Sequence, residues 1–303
     1  GQARAVHGVR DRAQPYAVTA YHASYAALAD TVVAAGACHV CLSSGHVRLG
    51  SVPVLLTMDA TGEANTAWEI ARALLLGPGG LNESRIADSG QDWPGGMAGL
   101  YLTGGTVADA MDTLAAGVAS FWGADAWGRY RVGALAVPED VGPSIILEPW
   151  MLTAPPEEEV GARAPVYRVR VGYQGNDRVQ AGADVLESVP AATRTYYGQA
   201  AQYAEVIRGD VQAAYPSAAD GPVIASVLDD LADAQALATR CMALWGRARR
   251  SWRVSVGVDW TGWCAGDAVL LRWPGIAALR DGRTLLIRSI SGRGDRAELV
   301  LWG

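Results

Sequence analysis

Cys38-His39-Val40-Cys41 is the densest group of potential metal ligands in the chain. Zinc takes four tetrahedral ligands, most often from two such pairs. No second pair follows, and in a strand Cys38 and Cys41 would point to opposite faces. The expectation is two structural cysteines and no metal. A redox pair would have to open a helix, and here the flanks read as strand. The four histidines, His7, His22, His39 and His46, all lie in the first 46 residues. Chain order allows a Ser-His-Asp set, but no Gly-X-Ser-X-Gly elbow supports one. The chain has no lysine, so it has no phosphate-binding Gly-X4-Gly-Lys loop. Asp92, Asp109, Asp112 and Asp125 are acids around one compact stretch, and a glycosidase needs two carboxylates flanking its substrate. Helix and turn chemistry explains three of the four. Trp260-Thr261-Gly262-Trp263 offers either a sugar platform or a pair of interface aromatics. The second is preferred, because no polar cluster converges beside it in sequence. Arg208-Gly209-Asp210 and Arg293-Gly294-Asp295 spell an adhesion tripeptide that is common by chance, the second copy in a hairpin turn. No catalytic, cofactor-binding or metal residue is assigned; the expectation is a chain that is not an enzyme and carries no cofactor.

The acids are positioned by residues 100–137. Val107, Ala110, Met111, Leu114, Ala115, Val118, Phe121 and Trp122 recur at helical spacing. The spacing predicts a helix over 106–122, with Thr106 as N-cap and Asp109 reaching back in a capping box. Asp109 and Asp112 also suit the positive end of the helix dipole. Gly123 is the expected stop. Asp125 to Gly128 reads as a turn, leading into the strand Arg129 to Ala134, where Tyr130, Val132 and Ala134 share one side.

Before this unit the chain reads as β-rich, with strands at Cys38–Leu42, His46–Leu49 and Val54–Met58. A helix is expected over 64–76, with Ala67, Ile70, Ala71, Leu74 and Leu75 inward, closed by Gly77-Pro78-Gly79-Gly80. Residues 81–99 read as a loop-like connector. Ile145 to Leu147 is a short strand. Proline and glutamate then mark 154–165 as a linker. Val166 to Tyr173 alternates as a half-buried strand. Residues 190–208 fit helix or strand, and 174–225 stay open. A second helix is expected over 226–245, capped by Ser226. Short strands tied by Gly and Asp turns continue to the C-terminus and read as a barrel or sandwich. The domain reading is therefore a first β-rich module at 1–153, a linker at 154–165 and a second module at 166–303.

Composition bounds the function. Of 303 residues, half are apolar and 18% charged, so disorder is excluded and a sizeable core is available. The net charge of −6 argues against a dedicated nucleic-acid binder. No run approaches the roughly 18 apolar residues of a membrane span. Eleven tryptophans stand against one phenylalanine, and tryptophan is enriched at interfaces. The chain opens on Gly1 rather than Met, as a piece of a longer protein would. Four cysteines are too few for a secreted disulfide scaffold.

The two helices echo each other. Thr106-Val107-Ala108-Asp109 opens one and Ser226-Val227-Leu228-Asp229 the other. Trp122-Gly123 precedes Arg129-Tyr130-Arg131-Val132, and Trp245-Gly246 precedes Ser251-Trp252-Arg253-Val254. Chance recurrence of short motifs and tandem related modules both account for this.

A longer ordered series resembles the tail-hub, or baseplate-hub, proteins of long-tailed phages and gene transfer agents. It runs through Arg48-Leu49-Gly50 with Pro53, Thr57 to Gly62, Gly99-Leu100-Tyr101-Leu102, Thr106 to Ala110 with Leu114, Trp122 to Asp125, Gly128 to Gly133 and Pro138. It continues at Ala234-Gln235-Ala236, Gly266-Asp267-Ala268-Val269 and Leu299 to Gly303. Region 174–225 departs from the pattern. The resemblance implies an α+β fold of tandem β-rich, tube-like barrel or sandwich domains, each carrying a packed helix. It implies a virion structural subunit at the tail tip: a homotrimer forming a pseudo-six-fold ring that continues the tail tube. Its partners would be copies of itself, a tail tube or distal tail protein, and a central spike or fibre. DNA would pass through the channel without specific binding. The alternatives are a tail-associated cell-wall hydrolase using Asp92 or Asp125, and a carbohydrate- or receptor-binding tail module using Trp260.

Overall fold

The structure is a computed structural model, described at residues 3–87, 93–100, 104–125, 127–159, 164–180 and 182–303. Asp92, residues 101–103 and the linker's middle, 160–163, lie outside the described residues.

Helices and sheets mix in the fold, as an α+β class requires. The central sheet has the order Gln202–Ile207, Val166–Tyr173, Ala219–Ala225. The first pairs antiparallel and the last parallel to the middle strand. Val166–Tyr173 alternates as its sequence does, with Val169 and Val171 fully buried. They join one core with the apolar stripes of three helices, Ala67–Leu76, Val107–Gly117 and Leu231–Trp245. Ala67, Ala71 and Leu75 come from the first, Met111 and Leu114 from the second, and Ala234, Leu237, Ala238 and Cys241 from the third. This core draws on both sides of the 154–165 stretch, so that boundary in sequence is not a boundary between cores.

Both long helices are shorter than their periodicity predicts. The first starts as expected, with a complete Thr106–Asp109 capping box, but ends at Gly117. A Cβ on Gly117 would meet Val227 and the Ala225 carbonyl at 3.2–3.3 Å, so with any other residue Val227 and the end of the strand Ala219–Ala225 would have to give by a few tenths of an ångström. Arg240 then takes the freed carbonyls of Val118 and Ala119, and Ala119 turns the chain at φ +47. Phe121 and Trp122 belong to the strand Ser120–Ala124, paired with Tyr130–Ala134. β-branched and aromatic residues here follow their strand preference once the helix has stopped. The other helix begins at Leu231 under an Asp230 cap, not at Ser226. Residues 226–229 are held extended instead: Ser226 N–H donates to Gly172 O, Gly99 N–H to Val227 O, and Asp229 N–H to Met97 O. Ala98 N–H also donates to Asn65 O, one residue before the Thr66 cap of the first helix. Residues 97–99, which read as loop, thus stitch two helix starts together. The matched Trp-Gly pairs differ in structure, since Trp122-Gly123 lies in a strand and Trp245-Gly246 ends a helix.

The C-terminal sheet has six strands: Glu157–Glu158, Ser251–Val256, Arg296–Trp302, Arg283–Arg293, Ala268–Leu271 and Ile145–Leu147, in that order. Its buried face carries Leu147, Trp252, Val254, Val269, Leu285, Leu299 and Leu301. Where it is described, the Pro/Glu stretch is largely exposed yet takes part in the sheet as an edge strand. Glu158 pairs with Arg250 and Glu159 with Arg253, so charge is what makes this a tolerable edge strand.

Residues 3–62 form two smaller sheets. Ala3–Asp11 pairs antiparallel with Leu56–Gly62 and with Gln14–Pro15. Ala37–Cys41 lies between Ala17–Tyr21 and His46–Leu49. The strand expected at Val54–Met58 starts later and runs on, as Leu56–Gly62. Residues 190–208 contain both readings, a helix at Ala191–Tyr197 and the strand Gln202–Ile207.

Arg240→Met removes a donor from the Val118 and Ala119 carbonyls just past Val107–Gly117, of which Ala119 O also accepts from Leu135 N–H. It is expected to lower unfolding free energy by about 1–3 kcal/mol, with an unchanged urea m-value. No loss in a urea titration would show that water satisfies these carbonyls equally well.

Candidate assembly surfaces

The residues with chemical potential are placed apart or used locally. Cys38 and Cys41 are buried free thiols in the strand Ala37–Cys41. Burial pushes the Cys38 thiol up, while the Ser43 hydroxyl 3.3 Å away draws Cys41 down. Among the described residues no three of His, Cys, Asp and Glu gather as a metal site. His22 Nε2 and His39 Nδ1 lie 3.0 Å apart, the His46 ring lies 4.7 Å from that of Tyr25 and tilted to it by 53°, and His7 reaches Thr61.

The acids of the anchor unit are held by the backbone they organise. Asp109 accepts from Thr106 N–H at 2.8 Å. Asp112 accepts from the Trp122 indole at 2.7 Å, tying the helix to the following strand. Asp125 Oδ1 accepts from the N–H groups of Trp127 and Arg129, and Oδ2 from Arg129 Nε. Burial would raise its carboxyl; those bonds outweigh it and hold the group below the usual range. Asp92 lies outside the described residues. Trp260 donates from Nε1 to Gly294 O, and Trp260 and Trp263 lie half-buried against the C-terminal core. They form no open platform. Arg208 and Asp210 pair with each other, which pulls Asp210 down to about 2. Gly294 sits at φ +65 in the expected hairpin turn.

What the surface offers instead is unburied apolar side chains on sheet edges. Val52, Val54, Leu56 and Met58, every second residue, are 94%, 80%, 48% and 47% exposed. Between them Pro53 and Thr57 are half-buried and Leu55 is buried. Met58 is the cross-strand partner of Val9, which is buried. The same sheet face is thus covered at Val9 and bare at Met58. Leu56–Gly62 pairs on one side only, with Ala3–Asp11. A second edge strand, Gln202–Ile207, exposes Tyr203 and Ile207. Ile146 and Trp150 are bare beside the edge strand Ile145–Leu147. Exposed apolar edges of this kind are normally suppressed in proteins that stay alone. The alternation over 52–58 is legible in sequence; which of its faces meets solvent is not.

No protein-family model matches the chain, and no curated protein matches it. Solved structures do. A chain of the virion of a native gene transfer agent particle superposes with TM-score 0.49 at 17% identity, over 78% of this chain and 47% of that one. A tail protein from Neisseria meningitidis MC58 gives 0.45 at 16% identity, over 79% and 66%. The 43 kDa tail protein of prophage MuSo2 from Shewanella oneidensis gives 0.43 at 15%, over 78% and 66%. The chain spans about half the length of the gene transfer agent chain.

Asp125→Ala is expected to cost about 2 kcal/mol near neutral pH, as hydrogen bonds to a buried charge do. The folded carboxyl titrates below its unfolded value. Its stabilisation is therefore complete above about pH 5, and it is lost as pH falls from the unfolded value near 3.9 through the lower folded value. Urea unfolding of both proteins should show the gap closing over that range. A gap independent of pH would mean the turn depends on packing, not on the ionised carboxylate.

Proposed function

We propose that this chain is a structural subunit of the tail tip of a long-tailed phage or gene transfer agent, in which three copies form a hub ring that continues the tail tube. The observation that carries the reading is the bare apolar run Val52, Val54, Leu56 and Met58, which leads into the one-sided edge strand Leu56–Gly62 and places Leu56 and Met58 on it. A strand with unpaired backbone and apolar side chains outward is completed by a neighbouring chain. The chain exposes such residues on three different edge strands. Contacts between unlike surfaces of identical subunits close into rings. The ordered sequence resemblance supplies the class of particle. In this reading the C-terminal sheet, with segment 144–159 hydrogen-bonded to both sides of it, is the barrel-like part of the ring wall. The neighbours are a tail tube or distal tail protein on one side and a central spike or fibre on the other. The ring serves as a channel for DNA that it does not bind specifically, in keeping with a net charge of −6. Its role is assembly and not catalysis, and its place is the virion tail tip.

Sedimentation equilibrium of the purified chain should give a species of three subunits. Met58→Arg, at an already exposed position, should weaken association at least tenfold, about 1.4 kcal/mol, with the melting curve of the dissociated chain unchanged. A chain that stays monomeric at all concentrations, and in the particle, would rule the ring out.

A further inference from the structure

A cleft of about 710 Å³ lies between the two large cores. Phe121 and Trp245 line it from the helical side, Leu286 and Trp302 from the C-terminal sheet. Two glycines shape it. A Cβ on Gly133 or Gly266 would fall 2.7 Å and 2.2 Å from the Phe121 ring, so both must be glycine for that ring to lie there. The volume is that of a ligand site, not of a packing defect.

Its charges are unbalanced. Of the arginines that line it, Arg249 is buried and spent: its Nη1 donates to both carboxylate oxygens of Glu139 at 2.8 Å, Nε donates to Leu244 O, and the guanidinium lies over Trp302. The lining acid, Glu159, lies 3.4 Å from Arg253, which Glu298 also reaches at 3.4 Å. Arg247 reaches only Glu139, at 3.9 Å, a carboxylate Arg249 already holds. Arg288 is exposed, and among the described residues no acid pairs with it. Arg288 also occupies a β-bulge: the register with Arg296–Trp302 steps from Ile287↔Leu301 to Ser289↔Val300 and leaves it unpaired. Bulges re-aim a side chain, and they gather beside functional sites.

An apolar floor with one cation unpaired among the described residues, Arg288, and a second, Arg247, held only at 3.9 Å by a carboxylate that Arg249 shares, selects an occupant that is apolar along its length and acidic. The walls come from segments of both cores, so the occupant must be long enough to touch several of them. We propose that this cleft is the docking site for an extended, acidic-apolar peptide segment of a neighbouring protein, its aliphatic or aromatic side chains against Trp245 and Trp302 and its carboxylates at Arg247 and Arg288. The inference stands independently of the ring.

The test uses the full chain and two fluorescein-labelled, N-acetylated peptides of equal length, one alternating leucine and glutamate, the other leucine and lysine. Fluorescence anisotropy should show the acidic peptide binding at least tenfold more tightly. The double variant Arg247→Glu/Arg288→Glu, changed only at exposed positions, should reverse that preference. Ala136→Trp, which places an indole in the cleft, should abolish binding of the acidic peptide. Equal binding of both peptides, binding of neither, or an unreversed preference in the double variant would each overturn the proposal.

Discussion

Segment 144–159 hydrogen-bonds both sides of one sheet, and the rest of the structure depends on that. At its start, Ser144 N–H donates to Ala268 O, and Ile145–Leu147 runs parallel to Ala268–Leu271. Further on, Gly257 N–H donates to Met151 O, Thr153 N–H to Ser255 O and Glu159 N–H to Ser251 O. One stretch thus satisfies the strands Ala268–Leu271 and Ser251–Val256, which would otherwise be the sheet's two edges. Unpaired edges are costly when buried and sticky when exposed. The chain before residue 144 and the chain after 165 are therefore tied to the same sheet from opposite sides, while their helices share the other core. The half-buried Arg131–Asp267 pair at 2.9 Å adds a direct clasp between the anchor hairpin and this sheet.

Local chemistry was legible in the sequence and long-range partners were not. His46–Leu49, Ile145–Leu147 and Val166–Tyr173 have the limits their alternation indicates. The Thr106–Asp109 box and the turns at Gly266, Gly282 and Gly294 obey short-range rules that need nothing distant. The helix limits failed where a remote group decides them. Val118, Phe121 and Trp122 continue the helical spacing, yet Gly117 and Arg240 end the helix first. Ser226 is a sound N-cap by type, yet 97–99 and Gly172 claim its neighbours as extended chain. The glutamates of 154–165 mark a linker by composition, and their pairing to the sheet is not legible because their partners, Arg250 and Arg253, lie some ninety residues away. The candidate surface was half legible. Periodicity gives two faces for Val52 to Met58, and only the placement of the covering strands tells which one is left bare.

Within the described parts, the acids that suggest catalysis act on the backbone. Asp109 accepts a main-chain N–H at the start of a helix and Asp125 does so inside a turn. An ionised carboxylate bonded in this way is held low and fixed in orientation, the reverse of the raised group a general acid needs. Catalysis would ask these carboxyls to give up the bonds that set the local fold. That is a physical argument against a general-acid role for Asp109 and Asp125.

The arginines do the complementary task at the other end of the helices. Tyr25–Ala29, Val107–Gly117 and Leu231–Trp245 have no basic residue in their last turn. Each is closed by an arginine from beyond that turn. Arg48 reaches Leu28 O and Ala29 O, Arg240 reaches Val118 O and Ala119 O, and Arg249 reaches Leu244 O. A helix C-terminus presents free carbonyls and a partial negative charge. A planar cation with five donors can meet two carbonyls at once, and a lysine ammonium cannot do so in the same fixed geometry. In a chain whose only strong cations are arginines, the contacts of Arg48 and Arg240 cross between segments that sequence separates. Arg240 in particular fixes the third helix to the end of the second, and so holds in place the hairpin that carries Phe121 to the cleft wall.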